Sequence, residues 1–487
     1  MTNRDQLRAI AVRAMRDRGL EPDIPPDAMA EANRVTAAPQ SSSEPTRDLR
    51  SLLWCSIDND DSRDLDQLSV AEPLDSGRVK ILVAVADVDV IVSKGSAVDR
   101  HAAVNTTSVY TPAVIFPMLP ERLSTDLTSL ADQQERLSIV VEFVVLPDGT
   151  LGDSDVYGAR VINKSKLAYS TVGAWIEGRG PLPAAAAAVH GMDDQLRIQD
   201  RVAQALSAER HRQGALEFAS DDVEHVFDDG VLREVKAVAP NRAMQLIENL
   251  MIAANGVVAR FLDARGQPSL RRVVRTPERW DRIRGVAAEF GDELPEDPDS
   301  GALAAFLKRR QAAAPDQYVD LSHRIIKMIG SGEYVLDRPG GDPPGHFGLA
   351  VRDYAHTTAP NRRYPDLITQ RLLKATLGGR KIPYSIDELQ RLAEHCTAQE
   401  DAAQKVERQV RKSAAAMVAQ PYIGRSFDSF VTGASPKGTF VRTANPPMEG
   451  MLVRGGAGLD VGDRLRVKLM HVDVAHGYID FERAQQA

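Results

Sequence analysis

Five aspartates fall within nine residues of this chain: Asp58, Asp60, Asp61, Asp64 and Asp66, directly after the apolar run Leu52-Leu53-Trp54-Cys55. Carboxylates crowded this closely repel one another, so a bound cation is the chemistry such spacing suits. Hard oxygen ligands select Mg²⁺, Mn²⁺ or Ca²⁺. A solvated Asp-rich turn is the competing reading. A calcium loop is the third, since Asp58, Asp60 and Ser62 match its first three odd positions. That loop needs Gly at its sixth position and Glu at its twelfth, where this chain has Arg63 and Ser69. The calcium reading fails.

Two further blocks carry chemistry. His346-Phe347-Gly348-Leu349-Ala350 precedes Tyr354-Ala355-His356-Thr357-Thr358-Ala359-Pro360-Asn361-Arg362-Arg363-Tyr364-Pro365-Asp366. Pro360 predicts a helix start that leaves Arg362 and Arg363 in its first turns. Cations there oppose the helix dipole unless an anion sits at the N-terminus, and a guanidinium fork grips phosphate in bidentate fashion. An internal pair with one of the aspartates is the alternative. The other block runs from Gly95 to Leu130 and contains Thr107-Ser108-Val109-Tyr110-Thr111-Pro112 and Pro117-Met118-Leu119-Pro120-Glu121-Arg122-Leu123-Ser124.

In order and pattern these blocks resemble the RNase II (RNB) family of ribonucleases, over roughly residues 50–485. The family signature sets Asp at a first position and at offsets six, eight and nine. Asp58, Asp64 and Asp66 fill the first three places, and Gln67 stands at the last. The Thr358–Asp366 stretch is similar to the family's Thr-Ser-Pro-x-Arg-Arg-Tyr-x-Asp motif. The resemblance implies catalytic roles for Asp66, Asp64 and Arg362, the last on the phosphate near the scissile bond. It implies a metal set of Asp58, Asp64, Asp66 and Gln67 for Mg²⁺, with Mn²⁺ as the alternative. Tyr110 and Phe218 would clamp the 3′-terminal bases by stacking, which is tolerant of sequence; lone aromatic residues of this kind otherwise fill cores. Tyr169 and Glu248 would lie near the terminal ribose, where a 2′-OH separates RNA from DNA. Glu407 would be a further acidic cavity residue, against a plain solvated helix face.

Three departures qualify the resemblance. Gln67 keeps an oxygen ligand but removes one negative charge, which predicts weaker metal binding or a changed metal preference, with Asp60 or Asp61 placed to compensate. The family's His before the Ile-Ala-Asp step is Ala84, with Asp87 retained. Most bacterial members carry two cold-shock-type OB domains ahead of the catalytic body, and fewer than fifty residues are available here. A short bacterial form without those domains is expected, with a wider channel mouth and more tolerance of duplex beside a 3′ overhang.

Composition sets the outer limits. The 487 residues leave room for two to four domains, and the apolar (43%) and charged (26%) fractions suit a soluble globular chain. A net charge of −8, from 60 basic and 68 acidic residues, counts against broad nonspecific DNA coating but not against an internal basic channel. Cys55 and Cys396 stand alone without metal-site spacing, which fits a reducing cytoplasm. No run of eighteen apolar residues occurs, so no membrane span is expected. The N-terminus has no apolar signal core, and Asp5, Asp17 and Glu21 oppose a transit peptide.

The positioning elements follow from periodicity. Leu7, Ile10, Ala11, Ala14 and Met15 form one helical stripe ended by Gly19, and Pro25-Pro26-Asp27 opens a second short helix through Val35. Residues 1–47 thus read as a small helical domain and linker. They form either a helix-turn-helix nucleic-acid module, with Arg8, Arg13, Arg16 and Arg18 outward, or a structural cap. Residues 48–418 read as a mixed catalytic body. It has a buried strand over Val79–Val92, a second at Leu137–Leu146 closed by Pro147-Asp148-Gly149-Thr150, and helices at 193–212, 241–264, 363–377 and 386–418. Residues 184–188 are helix or filler. Residues 419–487 carry five short strand-like runs, which suggests an OB-type barrel that binds single-stranded nucleic acid. The pattern resembles an S1-type domain with Phe440 in its Gly-x-Phe-Val step, either RNA-facing or filling the barrel.

The expected fold class is therefore α+β: an RNB catalytic domain between a small helical domain and a C-terminal S1-type OB barrel. The expected function is a processive 3′→5′ exoribonuclease that hydrolyses single-stranded RNA to nucleoside 5′-monophosphates with metal assistance. A catalytically weak RNB-fold RNA-binding protein is the alternative. Single-stranded RNA is the expected partner, and a monomer without membrane contact or small-molecule cofactor is expected.

Overall fold

The computed structural model describes residues 2–219, 223–435, 438–460 and 462–484. Apart from Lys80, the residues of Val79–Ala86 are aliphatic, and they form the middle strand of a seven-stranded mixed sheet. In spatial order the sheet runs Thr46–Asp48, Leu151–Ile162, Glu135–Val145, Val79–Ala86, Gln67–Pro73, Cys55–Asp58 and Ser165–Ala168. The four pairings from Leu151–Ile162 to Cys55–Asp58 are antiparallel, and the two outermost strands add parallel. Gly149 supplies the positive φ (88°) of the turn between Glu135–Val145 and Leu151–Ile162. A Cβ there would lie 2.1 Å from the Ala205 carbonyl oxygen, so the turn also needs Gly for the close approach of a helix. That helix, Met192–Arg212, and Arg242–Asp263 bury their apolar faces on the sheet and close the main core.

The strand expected to run to Val92 stops at Ala86. Gln370 explains the stop: its Oε1 accepts from Val88 N and Asp89 N, and its Nε2 donates to Ala86 O. Backbone groups that would have continued the ladder are taken by a helix side chain instead. The helix predicted to start just after Pro360 begins later, at Tyr364–Leu377, with Pro365 in its first turn. Arg363 is its extended N-cap residue, and Arg362 lies in the turn before it.

A second core joins distant parts of the chain. The stripe of Asn3–Arg16 packs on the long helix Ile386–Ala419, and the same core continues through Val406, Val410 and Ala414 of that helix into the interior of the C-terminal barrel. Arg18 donates to Gln409 of the same long helix. Helix Pro26–Arg34 instead buries Ala28 and Ala32 in the main core. The barrel is closed, from Ser426–Ser435, Gly438–Thr443, Glu449–Arg454, Arg464–Asp473 and Tyr478–Arg483.

Several elements differ from expectation by being present where none is expected from the sequence, among them the hairpin Val223–Asp228 with Val231–Ala237, the strand pair Ser269–Val273 with Glu333–Asp337, and the helices Trp280–Glu289, Ser300–Ala313 and Pro315–Ile329. The helices bury their own small core around Trp280, Ile283, Phe306 and Ile325.

Burial holds His346 neutral, with its pKa pushed down to about 4, and holds His356 well below the usual 6.5. The unfolded chain takes up these protons near 6.5 while the folded chain resists them, so stability is full above about pH 7 and is lost as pH falls. A fall from pH 7 to 5 is expected to lower unfolding free energy by about 1–2 kcal/mol through His346. Urea titrations at the two pH values check this: His346→Gln should flatten the slope, and an unchanged slope would contradict it.

Candidate active site

The aspartate-rich loop leaves the sheet at Asp58 and re-enters it at Gln67. Side chains and backbone of neighbouring elements pin it. Lys166 Nζ donates to Ser62 O (2.6 Å), Ser129 Oγ donates to Arg63 O (2.8 Å) and accepts from Leu65 N, and Ala86 N donates to Asp66 O (2.9 Å). The parallel register pairs Asp58 with Ala168, which sets Tyr169 beside the start of the loop. Ser170 Oγ donates to Asp60 Oδ1 (2.7 Å) from the same side. Asp60 and Asp61 stand in solvent.

Asp66 is the buried member, 3% exposed. Its Oδ1 accepts from Asn361 N (3.1 Å) and its Oδ2 from Arg362 Nε (3.1 Å). The internal ion pair weighed for Arg362 is therefore present. It uses Nε alone, the Nη atoms make no hydrogen bond among the described residues, and the Arg362 side chain stays 40% exposed. Burial pushes the Asp66 carboxyl up to about 7, against the pull of Arg362. Burial also raises Asp58 and Asp64, with Arg362 again opposing. Three carboxylates thus share the field of one guanidinium.

Tyr110 is tied into this centre by the chain around it. Ser108 N donates to Arg362 O (2.9 Å) and Tyr364 N to Thr106 O (2.8 Å), so the two motif segments run side by side. Tyr110 N donates to Glu407 Oε1 (2.9 Å) of the long helix, which gives Glu407 a positioning contact rather than a merely solvated face. The Tyr110 ring remains 40% exposed, near enough to Arg362, Asp64 and Asp66 for their charges to act on its hydroxyl. Tyr169 lies in the field of Asp58 and Arg362.

Other expected site residues stand further apart. Phe218 packs partly buried against the Trp280–Phe306 cluster and makes no ring contact with Tyr110 among the described residues. Glu248 is exposed on Arg242–Asp263, where it acts on the charge of Arg210. Gln67 is half-buried and paired with Val85 through the backbone. Phe440 is 39% exposed on the barrel surface while its neighbour Val441 fills the interior, so it does not serve as barrel core.

Among the described residues no group of three His, Cys, Asp or Glu side chains converges tightly enough to hold a metal as an all-protein cage. Mg²⁺ seldom uses one: it keeps several waters and takes one or two carboxylates plus substrate phosphate. Raised, oxygen-only donors beside a guanidinium suit that kind of site.

The sequence reading missed what holds Arg362 in place. Helix Tyr364–Leu377 follows it and is locked to the sheet by buried charges. Lys374 Nζ meets Asp87 Oδ1 (2.8 Å), Asp89 Oδ2 (3.3 Å) and Glu44 Oε2 (3.8 Å), and Arg371 meets Asp89 (3.0 Å) and Asp99 (2.8 Å). Asp366 accepts from Ala359 N (2.8 Å) and Arg363 Nη2 (2.7 Å), so Arg363 is spent on the turn and not on a ligand. The only sequence signal was the placing of Arg371 and Lys374 on one apolar helix.

A model of the RNB domain family matches residues 46–379, and one of the RNase II-type exonuclease C-terminal S1 domain matches residues 425–484. The first spans more than half of the chain, so the chain belongs to the RNB family. Ribonuclease R of Escherichia coli (strain K12) is 30% identical over 502 residues, covering 95% of this chain and 58% of that protein. Ribonuclease R 1 of Lactococcus lactis subsp. lactis is 28% identical over 467 residues, covering 89% of this chain and 56% of that protein. The chain thus spans somewhat over half the length of these curated relatives. Among solved structures, Mycoplasma genitalium RNase R in complex with ribose methylated single-stranded RNA superposes with a TM-score of 0.87 at 23% identity, covering 98% of this chain and 78% of that one. Yeast Ssd1, described as a pseudonuclease, gives a TM-score of 0.65 at 16% identity, covering 89% and 54%. At these identities the likeness is one of fold.

Lys374→Met is expected to leave Asp87 buried without its cation, while Glu44 keeps Arg380, and to cost about 3–5 kcal/mol of stability. Thermal or urea unfolding reads this directly. A loss below about 1 kcal/mol would show that the network does not hold the helix.

Proposed function

We propose that this protein is a processive, metal-assisted 3′→5′ exoribonuclease that hydrolyses single-stranded RNA to nucleoside 5′-monophosphates. The observation that carries the reading is the Asp66–Arg362 pair. A buried carboxylate holds the guanidinium by Nε and leaves its Nη atoms without hydrogen bonds among the described residues, beside two further carboxylates and an exposed tyrosine. RNB family membership and the Ribonuclease R relatives support it.

In this reading Arg362 grips the non-bridging oxygens of the terminal phosphodiester, and Asp66 fixes the plane of the guanidinium so that little reorganisation is needed as charge develops. Asp58, Asp64 and Asp66, with Gln67 offering an amide oxygen, would hold a divalent cation, Mg²⁺ or Mn²⁺, which when bound would supply charge neutralisation and activation of water. Tyr110 stacks on a terminal base at the mouth of the site, with Glu407 holding its backbone. Phe218 supports the far end of the stack, and Tyr169 and Glu248 contact the terminal ribose. Phe440 offers a stacking surface on the barrel for RNA further along the strand. The labour divides into a helical cap at 1–47, a catalytic body at 48–418 and an RNA-binding barrel at 419–487. Among the described residues no helix is long and apolar enough to cross a membrane. A cytoplasmic monomer is the matching state.

The alternative of a weakly catalytic RNA-binding protein is favoured by one observation, the amide of Gln67 in place of a carboxylate. Two variants separate the readings. Asp66→Asn should abolish shortening of a 5′-labelled oligo(A) while RNA affinity in a filter-binding assay stays within about threefold; loss of both would make Asp66 a structural residue. Gln67→Asp should lower the metal concentration for half-maximal cleavage by about tenfold, in line with the effect of groups around a metal site. An unchanged metal titration would remove Gln67 from the ligand set.

A further inference from the structure

A guanidinium taken out of water needs a carboxylate, or acceptors for all its donors, to offset the lost hydration. Arg271, Arg363 and Arg371 each meet a buried carboxylate. Arg136 has none within ion-pair distance among the described residues and gives its donors to the backbone carbonyls of Ser129, Glu135 and Asp126. Arg210 has neither solution. Its Nη2 donates to Asn249 Oδ1 (2.6 Å), a neutral acceptor. Its Nε is buried without a partner, and no carboxylate lies within 4.0 Å among the described residues.

Its place in the fold is specific. Arg210 closes helix Met192–Arg212 against Arg242–Asp263, the helix that bears Glu248. Ala215 N donates to Arg210 O (2.9 Å), which turns the chain into the Leu216–Phe218 segment, and Leu216 N donates to Gly348 O (2.8 Å). Glu248 and Tyr354 are the charged and titratable groups close enough to act on it. A partly buried cation with one neutral hydrogen-bond partner among the described residues therefore stands near Glu248, the carboxylate assigned above to the terminal ribose.

We propose that Arg210 and Glu248 together form a subsite for the terminal group of the RNA strand, in which Arg210 binds a 3′-phosphate. Glu248 accepts hydrogen bonds from the hydroxyls of an unmodified terminal ribose. The guanidinium matches the dianion of a phosphomonoester, so the site takes both kinds of 3′ end. This rests on the reading of the chain as a nuclease directed to 3′ ends.

The test is fluorescence anisotropy of the full chain with 5′-fluorescein oligo(A) carrying a 3′-hydroxyl or a 3′-phosphate, in EDTA so that no strand is cut. The unaltered protein should bind the 3′-phosphate strand at least as tightly as the 3′-hydroxyl strand. Arg210→Met should weaken the 3′-phosphate strand by about tenfold or more and the 3′-hydroxyl strand by less than about threefold. Arg210→Lys should restore part of the difference, and Asn249→Ala, which removes only the internal hydrogen bond, should keep the end preference. Equal weakening of both strands by Arg210→Met would mean a purely structural residue or an internal phosphate contact, and would overturn the proposal. So would a 3′-phosphate strand bound about tenfold more weakly than the hydroxyl strand by the unaltered protein. Shortening of the 3′-hydroxyl strand in Mg²⁺ or Mn²⁺ is read separately. If end preference follows Arg210 but no shortening occurs, the exonuclease reading fails while the subsite stands.

Discussion

A carboxylate that is 3% exposed cannot stay charged on its own, and most of the site's construction answers that problem at Asp66. Two donors converge on it from one turn, the backbone N–H of Asn361 and Nε of Arg362. Neither cancels the effect of burial, since the carboxyl remains pushed up to about 7. The residual demand for positive charge is shared with Asp58 and Asp64, whose carboxyls are raised for the same reason. A centre of this kind gains from a cation and from a substrate whose phosphate engages Arg362 in turn.

That arrangement needs the turn at Asn361–Arg362 and the strand start at Gln67 to keep a fixed separation, although nearly three hundred residues lie between them. The fixing is done by charges inside the molecule. Lys374 and Arg371 tie the helix after Arg362 to Asp87, Asp89 and Asp99, the residues that follow the middle strand of the sheet. Buried pairs of this type add little net stability compared with an apolar core, but breaking one is costly, which makes them good at specifying position. The long helix Ile386–Ala419 does the same for the side that carries Tyr110. It holds Tyr110 through Glu407 and carries the barrel and the N-terminal helix on its other turns.

Legibility in the sequence was uneven for physical reasons. Motif residues with local spacing, such as Asp58 to Asp66 and Pro360 to Asp366, stand out in the sequence, and the five barrel strands follow from short strand-like runs separated by turns. The small helical core around Trp280 and Phe306 was not read. Ser300–Ala313 is mixed in polarity around its circumference, and short helices that bury a few large residues leave little periodic signal. The end of the Val79–Ala86 strand was misjudged because the deciding group, Gln370, comes from far along the chain. Pro360 suggests a helix that includes Arg362, whereas the helix opens at Tyr364 with Pro365 as its second residue. Arg210 could not be singled out at all, because its distinction is an unmet donor and not a motif.

The central claim is that the Asp66–Arg362 pair serves cleavage of a phosphodiester at the 3′ end of a single RNA strand. The most direct measurement is incubation of the purified protein with oligo(A), labelled at the 5′ end in one reaction and the 3′ end in another, in Mg²⁺ or Mn²⁺, with products resolved by gel and mass spectrometry. The predicted result is a 5′-labelled ladder that shortens from the 3′ end, with the 3′ label released at once as adenosine 5′-monophosphate. Firm binding of the strand without shortening in either metal would contradict it.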